Sequence, residues 1–243
     1  MVGFSTAGAS RTVLQSLYIY NPFKLTILIQ AMYSLPYFKE QDPQKVLQFI
    51  KENPFAFLCG CDPVNNPVAT QIPVFIDERD GKLFLSGHIM KNTDHHKAFL
   101  HNANVLAVFT GAHTYVSASW YQDKEQASTW NYMSVHAKGV LKFLDQQALL
   151  DVLKRTTDHF ENNPYSGANF DDLPTEYVEK LSNAIVAFEV EVQQVENVFK
   201  LSQNRDEKSY HNIIGKLESQ DTDGKRIADE MKKRTSQLFK GDK

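Results

Sequence analysis

From Phe55 to Phe143 the chain is a succession of strand-like segments broken by turn formers, and that succession limits its fold more than any other feature. Phe55 to Cys61, Pro67 to Asp77 and Lys82 to His88 are rich in strand-favouring residues. The connections Asp62-Pro-Val-Asn-Asn-Pro67 and Glu78-Arg-Asp-Gly81 are made of residues that turn. Three short strands with tight connections form an antiparallel meander. The strand-helix alternation of a doubly wound sheet is absent. The reading is therefore mainly β with peripheral helices (α+β), organised as an antiparallel barrel.

Helical signals surround this core. Asp42-Pro43 supplies a cap and a helix-starting proline, Val46, Leu47, Phe49 and Ile50 form one apolar stripe, and Asn53-Pro54 ends it. Asn92 to Asn102 reads as a helix, followed by a strand from Val105 to Thr110 and a turn at Gly111-Ala112. Asp145 caps a long amphipathic helix stopped by Asn162-Asn-Pro164, and Pro174 starts a short one. Ala184 to Val195 is a long strand, Lys200 to Arg205 a polar loop, and Glu207 to Glu218 with Thr222 to Leu238 a terminal helical pair.

Charge and cysteine usage narrow the functional classes. The 243 residues are 42% hydrophobic with a formal net charge of -3, enough for a substantial core and no argument for a nucleic-acid or anionic-membrane partner. Only the piece from residue 200 onward is basic, with 11 Lys/Arg against 8 Asp/Glu of interspersed sign. That pattern suits a solvated helical surface, and DNA contact is kept as a minor alternative. Cys59 and Cys61 are too close in sequence for an unstrained disulfide and read as free thiols of a reducing, cytoplasmic compartment. No acidic residue precedes Glu40, and the apolar run Leu25 to Met32 is far too short to span a bilayer. Residues 1–31 are expected to be a non-core extension, with an upstream start preferred over a targeting segment or a membrane anchor. Residues 32–205 are expected to form the barrel and 206–243 a helical segment.

The candidate chemistry lies in two stretches. In Thr129-Trp-Asn-Tyr-Met-Ser-Val-His136, strand alternation points Trp130, Tyr132, Ser134 and His136 one way and Asn131, Met133 and Val135 the other. A face of rings beside hydroxyl and imidazole groups suits a planar heterocycle, although aromatic strand residues more commonly just pack a barrel. In Ser86-Gly-His-Ile-Met-Lys-Asn-Thr93 a strand ends at a glycine, His88 and Lys91 offer positive charge, and a helix begins whose N-terminus favours anions. A capped helix after a strand would look the same. Six histidines fall between His88 and His136, but adjacent His95 and His96 diverge by roughly 100° on a helix and no tight ligand spacing occurs, so no metal site is assigned. Glycine fingerprints for dinucleotides or a P-loop are missing, as is a nucleophile elbow.

Several stretches together carry a resemblance. Asn53-Pro-Phe-Ala56, Ala69-Thr-Gln-Ile-Pro73, Gly87-His88 with Lys91-Asn92, Gly111-Ala-His-Thr-Tyr-Val-Ser117, Ser119-Trp-Tyr121, Thr129-Trp-Asn-Tyr132 with Val135-His136, Ile185-Val-Ala-Phe-Glu189 and Lys200-Leu-Ser-Gln-Asn204 occur in that order. The chain thereby resembles the PaiB-type family of FMN-binding negative transcriptional regulators. The resemblance implies a split β-barrel like that of pyridoxamine-phosphate oxidases, usually a homodimer with FMN between subunits. It also implies roles. Lys91 and Asn92, with His88, would neutralise the FMN phosphate, and Thr70, Gln71 and Ile72 would border the flavin. Trp130, Asn131 and His136 would stack and hydrogen-bond, with Tyr115 and Ser117 close by. Lys200, Ser202 and Gln203 would close over the cofactor, from the same or the partner subunit. Met90-Lys-Asn-Thr93 stands where members typically carry Arg-Ala-Asn-Pro, which keeps a charge but loses the guanidinium fork. An FMN-dependent oxidoreductase and a flavin-free barrel holding haem or another planar ligand are the alternatives.

Overall fold

The computed structural model describes residues 35–163 and 165–239; the expectation for residues 1–31 lies outside the described residues. Seven strands form one antiparallel sheet: β1 (Phe55–Cys61), β2 (Pro67–Pro73), β3 (Phe75–Arg79), β4 (Lys82–Met90), β5 (Asn104–Val116), β6 (Thr129–Phe143) and β7 (Ile185–Lys200). Their order across the sheet is β2-β1-β5-β6-β7-β4-β3. The two edge strands, β2 and β3, are separated in the chain by Val74 alone. A single residue spans only a few ångströms of backbone, so the two edges must meet at that point and the sheet must curl into a barrel. Away from Val74 the edges are not hydrogen-bonded to each other, and the barrel is split there.

Local chemistry sets the joints. Between β3 and β4 the ladder ends on the pair Arg79 and Lys82, leaving Asp80 (φ 52°) and Gly81 (φ 72°) as a two-residue hairpin turn. At the point of closure Val74 N donates to Pro54 O at 2.9 Å. Gly87 of β4 lies against it: a Cβ there would stand 3.0 Å from Pro73 O and 3.0 Å from Phe188 Cζ. The helices are α1 (Pro43–Glu52), α2 (Asp94–His101), α3 (Gln146–Glu161), α4 (Thr175–Ser182), α5 (Glu207–Leu217) and α6 (Thr222–Leu238). The side chains of Asp42, Thr93, Asp145, Asp206 and Asp221 accept first-turn N–H groups of α1, α2, α3, α5 and α6.

One apolar cluster runs from α1 (Phe49, Ile50) through the barrel (Leu58, Leu85, Phe109, Val135, Phe188) to Tyr210, Ile213, Leu217, Ile227 and Met231 of α5 and α6. A smaller cluster of Leu149, Val152 and Ala187 lies where α3 packs over β7. Arg234 of α6, 11% exposed, pairs with Glu230 at 2.7 Å and with Glu40 at 3.1 Å, tying α6 to the lead-in of α1. Among the described residues no helix is long and apolar enough to cross a membrane.

Three boundaries differ from the sequence reading. The run Pro67 to Asp77 is two strands, because Val74 carries the chain from one edge of the sheet to the other. Gly111-Ala112 is not a turn but an irregularity inside the continuous β5, where the register against β6 shifts between Thr110 and His113. β7 continues through Lys200, because its partner β6 is itself 15 residues long and pairs Tyr132 with Lys200.

Closure at Val74 depends on Gly87. Gly87→Val is expected to lower the free energy of unfolding by about 1–3 kcal/mol in urea denaturation through overpacking. Gly215→Ala, in α5 with nothing within 4 Å of its Cβ position, is expected to leave stability unchanged or raise it by up to about 1 kcal/mol.

Candidate functional site

Side-chain alternation in β6 follows the pattern expected from the sequence. Asn131, Met133, Val135, Ala137 and Leu141 are buried toward the barrel interior, while Trp130 is 53% exposed and Tyr132 and His136 are partly exposed on the outer face. Trp130 pairs across the ladder with Tyr115, 47% exposed, and their rings meet edge to face at 6.0 Å. The outer face extends sideways as a row: Gln71, Phe57, Val108, His136 and Glu196 stand opposite one another on β2, β1, β5, β6 and β7. Phe55 and Phe57 are 58% and 39% exposed on this face. Burial holds the His136 imidazole below its ordinary pKa even though Glu196 pulls the other way.

The candidate residues do not converge in one chain. Lys91 N donates to Ala184 O at 2.9 Å and its ammonium to Asn183 O at 3.1 Å, which fixes Lys91 beside the start of β7. Lys200 is the last residue of that 16-residue strand. At about 3.3 Å per residue, roughly 50 Å of strand contour lies between them. His88, Lys91 and Asn92 form one group at the corner of β4 and α2. Tyr115, Ser117, Trp130, Asn131, Lys200, Ser202 and Gln203 form another at the far end of β6 and β7. Thr70, Gln71, Ile72 and His136 occupy the strands between, with Gln71 on the outer face and Thr70 opposite buried Leu58 on the other.

At the first corner the positive charge is narrower than the sequence suggests. His88 stands opposite Ala187, in the strip that α3 covers, and burial lowers its pKa. His96 shifts the same way, first through burial, and its Nδ1 accepts from Asn92 N at 3.2 Å. Neither imidazole supplies a cation near neutrality, which leaves the charge to Lys91. The helix start offers few open amides: His95 N donates to Asp94 Oδ1 at 2.7 Å and His96 N to Thr93 Oγ1 at 3.3 Å. Asp94 also places a carboxylate where an anion would sit. Against a phosphate-bearing cofactor, this corner fits through Lys91 and only weakly through its backbone.

The far end is better furnished with cations. A cavity of about 350 Å³ is lined by Phe38, Ser128, Thr129, Asn131, Lys200, Asn204 and Arg205 among others, with no carboxylate in its lining. Lys200 Nζ donates to Thr129 Oγ1 at 2.5 Å, and burial followed by the neighbouring Arg205 charge lowers its pKa. Arg205 lies 4.2 Å over the Tyr121 ring. Four residues placed here by the resemblance have their polar groups engaged within the protein. Asn131 accepts from Ser202 Oγ at 3.0 Å and is fully buried, facing away from Trp130. Gln203 accepts from Leu201 N at 2.7 Å and donates to Phe199 O at 2.5 Å. Ser117 Oγ caps Ser119 N at 3.2 Å. They shape the site from behind. Ile72, 9% exposed, belongs to the core. Sequence reasoning missed Arg205, one residue beyond the Lys200 to Asn204 motif, and the pair Phe55 and Phe57, whose alternation on β1 was a readable signal.

Residues 32–194 match the family model described as "Putative FMN-binding domain". The chain is 30% identical over 190 residues to the protease synthase and sporulation protein PAI 2 of Bacillus subtilis (strain 168), covering 78% of this chain and 91% of that protein. It is 25% identical over 232 residues to the uncharacterized protein AN0679 of Emericella nidulans, covering 77% and 91%. Among solved structures, the FAD and heme binding protein of Mycobacterium smegmatis is similar over 66% of this chain and 72% of its own, at 16% identity and a TM-score of 0.47.

The histidine shifts carry a pH dependence. A histidine whose pKa is depressed in the folded state binds less proton there than in the unfolded chain, so stability falls as pH drops through about 6.5 toward the folded pKa. His88, His96 and His136 all act in this direction. The melting temperature is expected to be lower at pH 5.5 than at pH 7.5, and His88→Gln to reduce that difference in parallel calorimetric scans.

Proposed function

The chain belongs to the family of FMN-binding domains, and we propose that it works as a homodimer holding FMN between the outer sheet faces of two copies. The observation that carries the reading is the separation along β7. Lys91 and the group around Trp130 and Lys200 lie at opposite ends of the 16-residue β7, and a second copy related by a two-fold axis would bring both to one cofactor. The outer face supports the dimer: Phe55, Phe57, Tyr115 and Trp130 are large, apolar and exposed. Lys91 of one copy then meets the phosphate, and Trp130 and Tyr115 offer ring faces and edges to the isoalloxazine. Gln71 and His136, on one row of the same face, supply hydrogen bonds to its polar rim. When bound, FMN supplies redox chemistry of its own; the protein contributes position, charge and exclusion of water.

The regulatory reading follows the PaiB resemblance and has the flavin or its occupancy as the sensed state. Direct DNA contact through α6 is not part of it. Three of the five α6 cations are already matched: Lys232 pairs with Glu218 and Asp229, Lys233 with Glu230, and Arg234 with Glu40 and Glu230. Free Cys59 and Cys61 support a reducing compartment, the cytoplasm.

Purified full-length protein is expected to be yellow, with FMN identified by mass, and dimeric by light scattering. Phe57→Asp should yield a monomer that retains little FMN. Lys91→Ala should keep the dimer and weaken FMN binding by about ten-fold or more, the worth of a charge-assisted hydrogen bond. Protein that stays colourless after soaking with excess FMN would overturn the proposal.

A further inference from the structure

A second cavity, of about 520 Å³, lies between α1 and α6 and shares no lining residue with the flavin candidates. Its floor is apolar: Phe49, Met133 and Phe199 are all nearly buried, and the two rings sit 5.1 Å apart with a tilt of 51°. Gly111 and Ala112, at the irregularity in β5, also line it, and Gly111 lets the Phe49 ring come close, since a Cβ there would stand 2.7 Å from Phe49 Cε2. The size is that of a small-molecule site.

The rim is charged, and its charges are unevenly matched. Asp229 is paired with Lys232, and Glu230 with Lys233 and Arg234. Glu52 accepts from Gln48 Nε2 at 2.8 Å. The side chains of Lys45 of α1 and Arg226 of α6, which line the same cavity, make no hydrogen bond or ion pair among the described residues. The lining as a whole has four cations, Lys45, Arg226, Lys233 and Arg234, against the three carboxylates Glu52, Asp229 and Glu230. An aromatic floor beneath two uncommitted cations, one of them a guanidinium that matches a carboxylate in a two-point fork, selects a flat ring bearing an acid group.

We propose that this cavity binds a small aromatic carboxylate, its ring on Phe49, Met133 and Phe199 and its acid group between Lys45 and Arg226. The ligand would bridge α1 and α6, adding to the link that Arg234 and Glu40 make between α6 and the lead-in of α1. The proposal stands apart from the flavin reading, since neither the floor nor the rim belongs to that site.

The test uses full-length protein, loaded with FMN where FMN binds, and 2-naphthoate as probe in isothermal titration. Saturable binding of one probe per chain is expected, weakened about ten-fold by Arg226→Ala and further by Lys45→Ala with Arg226→Ala. Both positions are exposed, so the variants should keep the parent melting temperature. The neutral analogue 2-naphthalenemethanol should bind more weakly than the acid by a similar factor. Absence of saturable binding, binding unchanged in the double variant, or release of FMN on probe addition would each overturn the proposal.

Discussion

The connection through Val74 governs the architecture. Any sheet whose outermost strands are joined by one residue has to bring those edges together, whatever its sequence elsewhere, and the seven-strand order here leaves no other solution. The bend then becomes a packing problem at a single spot. Gly87, the Pro73 carbonyl and the Phe188 ring share that space, with the Val74 amide held by Pro54 O. A barrel interior follows, filled by Leu58, Leu85, Phe109, Val135 and Phe188. The outer surface is divided. α3 covers one side of it, along Ala187, while the side carrying Phe57 and Trp130 stays open.

Strand length has the next largest consequence. β6 and β7 are 15 and 16 residues long, far above the usual five or six, and they separate groups that a reader of the sequence naturally combines. On the proposed reading these are two incomplete half-sites, one poor in amides but carrying Lys91, the other carrying rings, Lys200 and Arg205. The proposed symmetric association would complete both at once, because a two-fold axis that joins one end of a strand to the other end of its copy does so twice.

Much of this was legible in the residues, and the exceptions have physical reasons. The Asp80-Gly81 hairpin, the capping residues and the alternation through Trp130 and His136 depend on local backbone preferences, which a sequence displays. The division of β2 from β3 could not be seen, because Val74 looks like one more strand residue and its role depends on where six other strands lie. Gly111-Ala112 has the composition of a turn, yet β6 pairs on both sides of it, at Thr110 and His113, and leaves it as an irregularity inside one strand. His88 looks cationic until α3 is placed over its strip. Asn131 and Gln203 look free to hydrogen-bond a ligand until Met231 Sδ and the Phe199 carbonyl accept from their amide nitrogens, with Ser202 Oγ donating to the Asn131 oxygen. In each of these cases the deciding partner is distant in sequence or on another element.

The clasp between Arg234 and Glu40 has a topological consequence. It holds the beginning and the end of the described fold at one place, so the backbone nearly closes on itself. A circular permutant, spliced across that seam and reopened in the exposed segment around Tyr165, would keep every strand pairing of the sheet. The order in which the strands are synthesised is thus separable from the barrel they build.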